Sequence, residues 1–316
     1  MQQITLVVVA IILGLGFGRL TGGAEFSTLV CVAAGVFLVT PSLFKFKLSD
    51  LTSIKNHMPS VRKNLWINYL LLAAGALVIG YASQDIGIAA ALFLLALLPG
   101  GGMVMMWIKQ SGANVKLGFM IFMLNLILLL PVTLIFSQFQ AIADPFFPEP
   151  NLNAVGHVMS SEGIMPLAPF VILIVIPFLL SRIALKFFPP LVEFTGRHQQ
   201  LISRVTMFGI VFYLFSLATS QLLFDVSLFD LAKAFVATGA FYGVAIGAAM
   251  YFSDDSANDR AVFWHIATRY ITLALIIAVF SVDSYGASFI LPIMIAYFIQ
   301  MGSAGFLSKR QINRAG

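Results

Sequence analysis

Long, nearly uninterrupted apolar runs are the feature that most restricts what this chain can fold into. Hydrophobic residues make up 60% of its 316 residues, charged residues make up only 10%, and the mean hydropathy is +0.97. A soluble domain carries about 25% charged residues, and a helix that crosses a bilayer needs about 20 consecutive apolar residues. An outer-membrane barrel would alternate apolar and polar residues instead. The sequence therefore predicts an all-α polytopic membrane protein.

Ten transmembrane helices are predicted from these runs, and the basic residues between them indicate the orientation. Of 18 lysines and arginines, all fall in loops on one side except Arg19 and Lys233 on the other and Arg269 within a span. By the positive-inside rule both termini are cytoplasmic, in an inner (plasma) membrane. The lipid bilayer is thus the expected partner, and the net charge of +5 does not indicate nucleic-acid binding. The spans are placed at residues 3–21, 27–46, 64–82, 86–109, 115–138, 164–187, 200–223, 229–252, 257–281 and 284–307.

The ten spans divide evenly into two halves. We predict a first five-helix repeat at residues 1–140, an external linker at 141–163 and a second five-helix repeat at 164–316. Because five is an odd number, the second half enters the membrane from the opposite side. Such inverted repeats are typical of secondary transporters, whose substrate binds at the interface of the repeats.

Span four carries four consecutive helix breakers at its centre. Pro99 removes a backbone donor and clashes with the preceding turn, which costs ~3 kcal/mol, and Gly100, Gly101 and Gly102 each add ~1 kcal/mol. We expect a break whose freed amides and carbonyls are satisfied by protein or water. A half-helix that begins after the break, near Met103, would point its positive end at a cavity and favour an anion. A simple packing kink is the alternative interpretation.

Arg269 lies within an apolar stretch at residues 262–280, where a charge costs at least ~2.5–3.5 kcal/mol. The spacing i, i+3, i+4, i+7 predicts one shared helical face for His265, Thr268, Arg269 and Thr272. None of the 13 acidic residues lies near the middle of a predicted span. The expected partner of Arg269 is therefore a ligand anion or the freed carbonyls of the span-four break, with a structural salt bridge as the alternative.

Two further polar side chains complete the candidate site. His265 is either a proton carrier, which its usual pKa of ~6.5 suits, or a buried neutral histidine. Asn125, in the middle of span five, is expected to bond the loosened backbone of span four. We predict no catalytic residue, and the predicted substrate-binding residues are Pro99, Gly100, Gly101, Gly102, Met103, Asn125, His265, Thr268, Arg269, Tyr270 and Thr272.

Two stretches resemble a known transporter superfamily. Pro99-Gly-Gly-Gly-Met-Val-Met-Met-Trp107 is similar to Pro-Cys-Thr-Ala-Met-Val-Phe-Val-Trp of bacterial arsenite-efflux carriers. The segment from Thr268 to Ala278 is similar to Gln-Arg-Asn-Ile-Ala-Ala-Ala-Leu-Val-Val-Ala of some bacterial members, and Asn125 matches a span-five asparagine. The chain thus resembles the bile acid–sodium symporter superfamily. The resemblance implies inverted repeats with broken crossing helices four and nine, a panel of spans 1, 2, 6 and 7, and a core of spans 3–5 and 8–10.

The chain also departs from this superfamily. The arsenite carriers have a cysteine after the span-four proline, where this chain has Gly100, so arsenite efflux is disfavoured. The resemblance places His265 at the glutamate that binds sodium in the symporters, Arg269 at their glutamine and Tyr270 at their asparagine. The sodium sites are therefore not preserved. Sodium is the one ion that the resemblance raises as a cofactor, and no other cofactor is expected.

We expect a secondary active transporter that moves a small organic anion by alternating access, with the substrate between residues 99–102 and the Arg269 face. It is either a sodium symporter or a proton-coupled or uncoupled carrier or exporter. An enzyme is not expected, because no His-Glu-x-x-His, Gly-x-Gly-Asp or Gly-x-Ser-Gly motif occurs in the chain. A passive channel and a membrane sensor are the remaining alternatives. The sequence indicates no protein partner.

Overall fold

The described part of the chain is built from helices. A computed structural model describes residues 2–22, 53–101, 103–147, 175–221, 227–279 and 285–315, with single residues at 30, 33, 37, 40, 43, 44 and 171. Among these residues regular structure is helical, which confirms the predicted all-α class. Gly102, most of the predicted second span and most of the predicted linker lie outside the described residues.

Fifteen α-helices are named here in chain order. They are α1 (Gln2–Thr21), α2 (Met58–Trp66), α3 (Ala73–Ser83), α4 (Ile86–Leu97), α5 (Val104–Gln110), α6 (Val115–Ile127), α7 (Leu129–Ser137), α8 (Phe139–Ala143), α9 (Ile176–Phe187), α10 (Pro189–Arg197), α11 (Gln199–Gln221), α12 (Leu228–Phe252), α13 (Ala257–Ala267), α14 (Ile271–Val279) and α15 (Ala287–Ala315). A π-helical segment, Ile67–Leu72, joins α2 to α3, and 3₁₀ turns lie at Ser53–His57 and Asp144–Phe146.

Several described helices are long and apolar enough to cross a membrane. Three single helical segments meet both conditions: Ile54–Ser83, Leu228–Phe252 and Ser288–Ser308. A fourth candidate is the pair α6 and α7, which meets at a 41° bend. These segments overlap predicted spans three, eight, ten and five, which supports the membrane class. The total of ten spans and the inverted repeat stay predictions.

The chain folds into two compact units, each drawn from two separated parts of the sequence. The first unit comprises Met1–Leu48 and His157–Asp225. Within it α1 packs along α11, and the approach is close at Gly14, where an added Cβ would lie 2.5 Å from Phe212 O. The Arg182 guanidinium donates to Leu43 O at 3.2 Å in the same unit.

The second unit comprises Ser49–Gly156 and Val226–Gly316 and contains all the candidate site residues. Short polar side chains cap the starts of two of its helices: Asp85 Oδ1 accepts from Ile88 N–H at the start of α4, and Ser256 Oγ accepts from Asp259 N–H at the start of α13. Such caps satisfy amide groups that have no partner within the helix. Both capped helices then end abruptly in the middle of apolar sequence, and these two ends create the candidate site.

Candidate functional site

Two interrupted helices pair with each other through their irregular backbone. Helix α4 ends at Leu97 and α5 begins at Val104, so the helix is interrupted at the predicted position. A second interruption separates α13 from α14 at residues 268–270. Gly100 N–H donates to Thr268 O and Tyr270 N–H donates to Leu98 O, both at 2.9 Å. The two breaks thus satisfy amide groups that would otherwise be unpaired in an apolar environment.

The second interruption corrects one prediction. A single helical face through His265, Thr268, Arg269 and Thr272 is wrong, because α13 ends at Ala267, the next three residues are not helical, and Thr268 and Arg269 are extended. Thr268 has φ −121° and ψ 153°, and Arg269 forms an antiparallel bridge with Pro99. Successive side chains of an extended segment point to opposite sides. Arg269 and Tyr270 therefore face different surroundings.

Glycine is required at the first break by both conformation and space. Gly100 has φ +74°, in the left-handed region, and a Cβ added there would lie 2.5 Å from His265 Nδ1. Gly101 has φ +144°, and its added Cβ would lie 3.1 Å from Tyr270 Cα. Residues with a side chain rarely adopt such angles. The glycines therefore let the two interrupted segments lie directly against each other.

The Arg269 side chain is buried among neutral hydrogen-bond acceptors. It is 1% exposed. Its Nη1 donates to Asn68 Oδ1 at 2.7 Å and to Ala96 O at 3.5 Å, and Nη2 donates to Ile266 O. Its Cζ lies 5.7 Å from the centroid of the Phe241 ring, within cation–π range. Among the described residues no carboxylate forms an ion pair with it.

The other polar residues predicted from the second stretch bond within the packed unit. His265 Nε2 donates to Gly118 O at 2.9 Å, which directs Nδ1 toward Gly100. Thr268 Oγ1 donates to Trp264 O at 2.6 Å, and the Thr272 hydroxyl bonds the Tyr297 hydroxyl. These contacts hold the end of α13 and the start of α14 in place.

A recess opens beside the paired breaks and brings three predicted site residues together. Its cavity volume is about 10 Å³, room for about one water molecule, and Pro99, Asn125 and Tyr270 line it. The rest of the lining is apolar, with Leu98, Phe122, Leu126, Leu129 and Leu273. Arg269 is not part of the lining. Met103 directly precedes α5, and Gly101 O accepts from Val104 N–H at 3.0 Å.

Asn125 joins the recess to the first break. Its Nδ2 donates to Pro99 O at 3.3 Å, which confirms the expected bond to the loosened backbone. Its Oδ1 accepts from Tyr69 OH at 3.4 Å. The amide is thereby oriented by one partner on each side.

Three residues at the site were missed from the sequence: Asn68, Tyr69 and Gln300. Asn68 and Tyr69 lie in the π-helical segment, and π-helical turns often occur at functional sites. Gln300 lies on α15 and bonds the Arg269 backbone. Asn68 and Gln300 are polar side chains within predicted apolar spans, and this signal could have marked them as candidates.

No group of three or more His, Cys, Asp or Glu side chains is arranged to hold a metal ion in the described ranges. Comparison of the sequence with protein-family models and with curated proteins finds no match. The site is therefore interpreted from its own geometry.

Proposed function

We propose that the chain is a secondary transporter that moves a small organic anion across the inner membrane by alternating access. The observation that carries this proposal is the recess, in which Asn125 and Tyr270 project among apolar residues beside the backbone of two interrupted helices. Irregular backbone at membrane depth is tolerated where it is buried in protein or lines a cavity. Interrupted helices also build the substrate sites of many secondary transporters.

Two features support an anionic substrate. The Arg269 guanidinium brings a positive charge to the paired breaks, and no carboxylate within the described residues pairs with it. Helix α14 starts at Ile271, directly after the second break, with the partial positive charge of a helix N-terminus. Because Arg269 and Tyr270 point to opposite sides, Arg269 acts on an anion in the recess through its electric field and not by contact.

The lining also restricts the substrate. Apart from Asn125 and Tyr270 the recess is lined by leucines, one phenylalanine and Pro99. Pockets of this type place a few polar groups to orient a ligand and bury its apolar part. A carboxylate or sulfonate with a short hydrocarbon body matches this distribution of polar and apolar groups. The cavity of about 10 Å³ has to widen during the transport cycle to admit it.

The number, orientation and grouping of the membrane spans are part of the same proposal. The excess of basic residues on one side of the predicted spans supports cytoplasmic termini. Ten spans in two inverted repeats, with a panel of spans 1, 2, 6 and 7 and a core of the remaining six, are supported by the resemblance to the bile acid–sodium symporter superfamily. Membership of that superfamily is proposed on the stretches at residues 99–107 and 268–278.

Uptake into proteoliposomes tests the proposal. The purified protein is assayed with radiolabelled small carboxylates and sulfonates, and a carrier gives saturable uptake that is stimulated by unlabelled substrate on the opposite side. Linear flux without such counterflow would indicate a channel.

A matched pair of variants tests whether the recess is the substrate site. Asn125→Leu keeps the branched shape of the side chain and removes the amide, so we expect most of the uptake to be lost. Thr133→Val removes a hydroxyl that donates to Leu130 O of its own helix at 2.9 Å, and we expect uptake to be retained. Unchanged uptake by a folded Asn125→Leu protein would rule out the recess as the substrate site.

A further inference from the structure

The Arg269 guanidinium lies in a group of acceptors that would suit a free cation. We define the acceptor cluster as Asn68 Oδ1, Ala96 O and Ile266 O, together with the face of the Phe241 ring. All three oxygens belong to amide groups and carry no formal charge. A site of neutral oxygens and an aromatic face favours a single positive charge, since nothing in it would compensate a second.

The acceptor cluster draws its negative potential from two helix ends. Ala96 lies in the last turn of α4 and Ile266 in the last turn of α13. The last four carbonyls of a helix lack a partner within it, and the C-terminal end carries a partial negative charge. Two such ends converge on one guanidinium, so a cation there relieves their mutual repulsion.

The third acceptor is oriented without help from Arg269. Asn68 Nδ2 donates to Asn64 O at 3.0 Å and to Asn64 Oδ1 at 2.9 Å. Because these two bonds fix the orientation of the Asn68 amide, its oxygen remains directed at the guanidinium. The acceptors are therefore held in place by α2, the π-helical segment, α4 and α13, and not by the side chain that they bind.

We propose that the acceptor cluster is a monovalent-cation site whose occupant is the chain's own guanidinium. Two consequences follow. A variant without the arginine side chain binds free guanidinium at this position. The wild-type protein needs no free sodium or potassium ion at the paired breaks, and this second consequence alone rests on the proposed function.

Thermal unfolding of purified Arg269→Ala tests the first consequence. The probe is guanidinium chloride at millimolar concentrations, well below those that denature proteins, compared with equal sodium and choline chloride. Because a ligand that binds only the folded state raises its stability by mass action, guanidinium should raise the melting temperature of the variant in a saturable way. The melting temperature of the wild type should not change. Equal responses of the two proteins to guanidinium would overturn the proposal.

A second pair of variants applies if Arg269→Ala does not fold. Arg269→Lys keeps a cation in the acceptor cluster, whereas Arg269→Met has similar length and no charge. We expect the lysine variant to unfold at the higher temperature. A methionine variant as stable as the lysine variant, or more stable, would show that the cluster does not need a cation and would overturn the proposal.

The ion dependence of uptake tests the second consequence. Initial uptake by wild-type proteoliposomes should be the same when sodium is replaced by potassium or choline. Uptake that requires sodium would overturn the second consequence while leaving the transporter assignment intact. An absence of uptake in every buffer would argue against the proposed function, and the melting experiments would still decide whether the acceptor cluster is a cation site.

Discussion

Gln300 pairs with both backbone polar groups of Arg269. Its Oε1 accepts from Arg269 N–H at 2.6 Å, and its Nε2 donates to Arg269 O at 3.2 Å. Oε1 also accepts from Tyr242 OH at 2.9 Å. Because α13 ends at Ala267, the Arg269 backbone has no partners within a helix. One side chain of α15 supplies them instead.

Replacing Gln300 by leucine should destabilise the protein markedly. The change leaves the N–H and C=O groups of Arg269 unpaired in a buried position, and each unsatisfied group costs about 1–3 kcal/mol. We expect a loss of about 2–5 kcal/mol in the free energy of unfolding, seen as a lower melting temperature of the detergent-solubilised protein. Ser308→Ala is the control on the same helix, because its hydroxyl donates to Gly305 O of that helix. Equal melting temperatures for the two variants would contradict the role given to Gln300.

Gly100→Ala tests the contact between the two interrupted helices. The substitution combines a left-handed backbone, which costs a non-glycine residue about 1–2 kcal/mol, with a Cβ that meets His265 Nδ1 at 2.5 Å. Overpacking adds about 1–3 kcal/mol. We expect the variant to lose both stability and uptake, since its backbone must separate from Thr268 to make room.

Gly112→Ala separates the cost of the left-handed backbone from the cost of the close contact. Gly112 has φ +64°, close to that of Gly100, but a Cβ added there meets nothing within 4 Å. We therefore expect only the backbone cost, about 1–2 kcal/mol, and retained uptake. If Gly100→Ala lowers the melting temperature no more than Gly112→Ala does, the close approach to His265 contributes nothing to the loss of stability.

Asn68→Leu should weaken the surroundings of Arg269 without changing its charge. Leucine has the same branched side-chain shape as asparagine but accepts no hydrogen bond, so the guanidinium loses its 2.7 Å partner. Hydrogen bonds to charged groups contribute about 1.5–3 kcal/mol, and we expect a loss of that size in thermal or chemical unfolding. Thr238→Val, on α12, removes a buried hydroxyl that donates to Ala234 O of the same helix. This control should unfold close to the wild-type temperature. An Asn68→Leu protein with the same melting temperature as the control would show that the bond from Arg269 to Asn68 contributes no stability.

The two interruptions differ in how far the sequence could predict them. The break after Leu97 follows from local composition, because Pro99 and the glycines disfavour a helix wherever they occur. The break after Ala267 contains neither proline nor glycine. It is stabilised by residues distant in the sequence, since Thr268 and Tyr270 pair with the first break and Gln300 bonds the residue between them. The helical face predicted from spacing was wrong for this reason.

In the candidate site, too, the sequence could not predict contacts with residues distant in the chain. Arg269 could be recognised from the sequence because a charge in an apolar run is unusual by itself. Its partners could not be assigned, because two of them are backbone carbonyls and Asn68 resembles any isolated polar residue in a span. The bond from Asn125 to the first break could be predicted, because a freed carbonyl at the break needs a donor and few polar side chains are available in the neighbouring span.

The ion pair between Lys63 and Asp259 should hold the start of α13 against α2. Lys63 Nζ lies 2.9 Å from Asp259 Oδ2, and their side chains are 31% and 11% exposed. The same carboxylate oxygen accepts from Asp254 N–H at 3.2 Å. Asp259→Asn removes the charge and keeps the shape, and we expect a loss of about 1 kcal/mol, less than for a fully buried pair because water screens the charges.

Salt dependence distinguishes this ion pair from a simple packing effect. The stabilisation lost in Asp259→Asn should shrink as sodium chloride is added, because salt screens partly exposed charges. Glu193→Gln is the matched control, since Glu193 pairs with Arg197 on α10 with both side chains more than half exposed. Exposed pairs contribute about 0–1 kcal/mol, so this control should melt near the wild-type temperature at every salt concentration. A salt-independent loss in Asp259→Asn would assign the effect to the hydrogen bond from Asp254 instead.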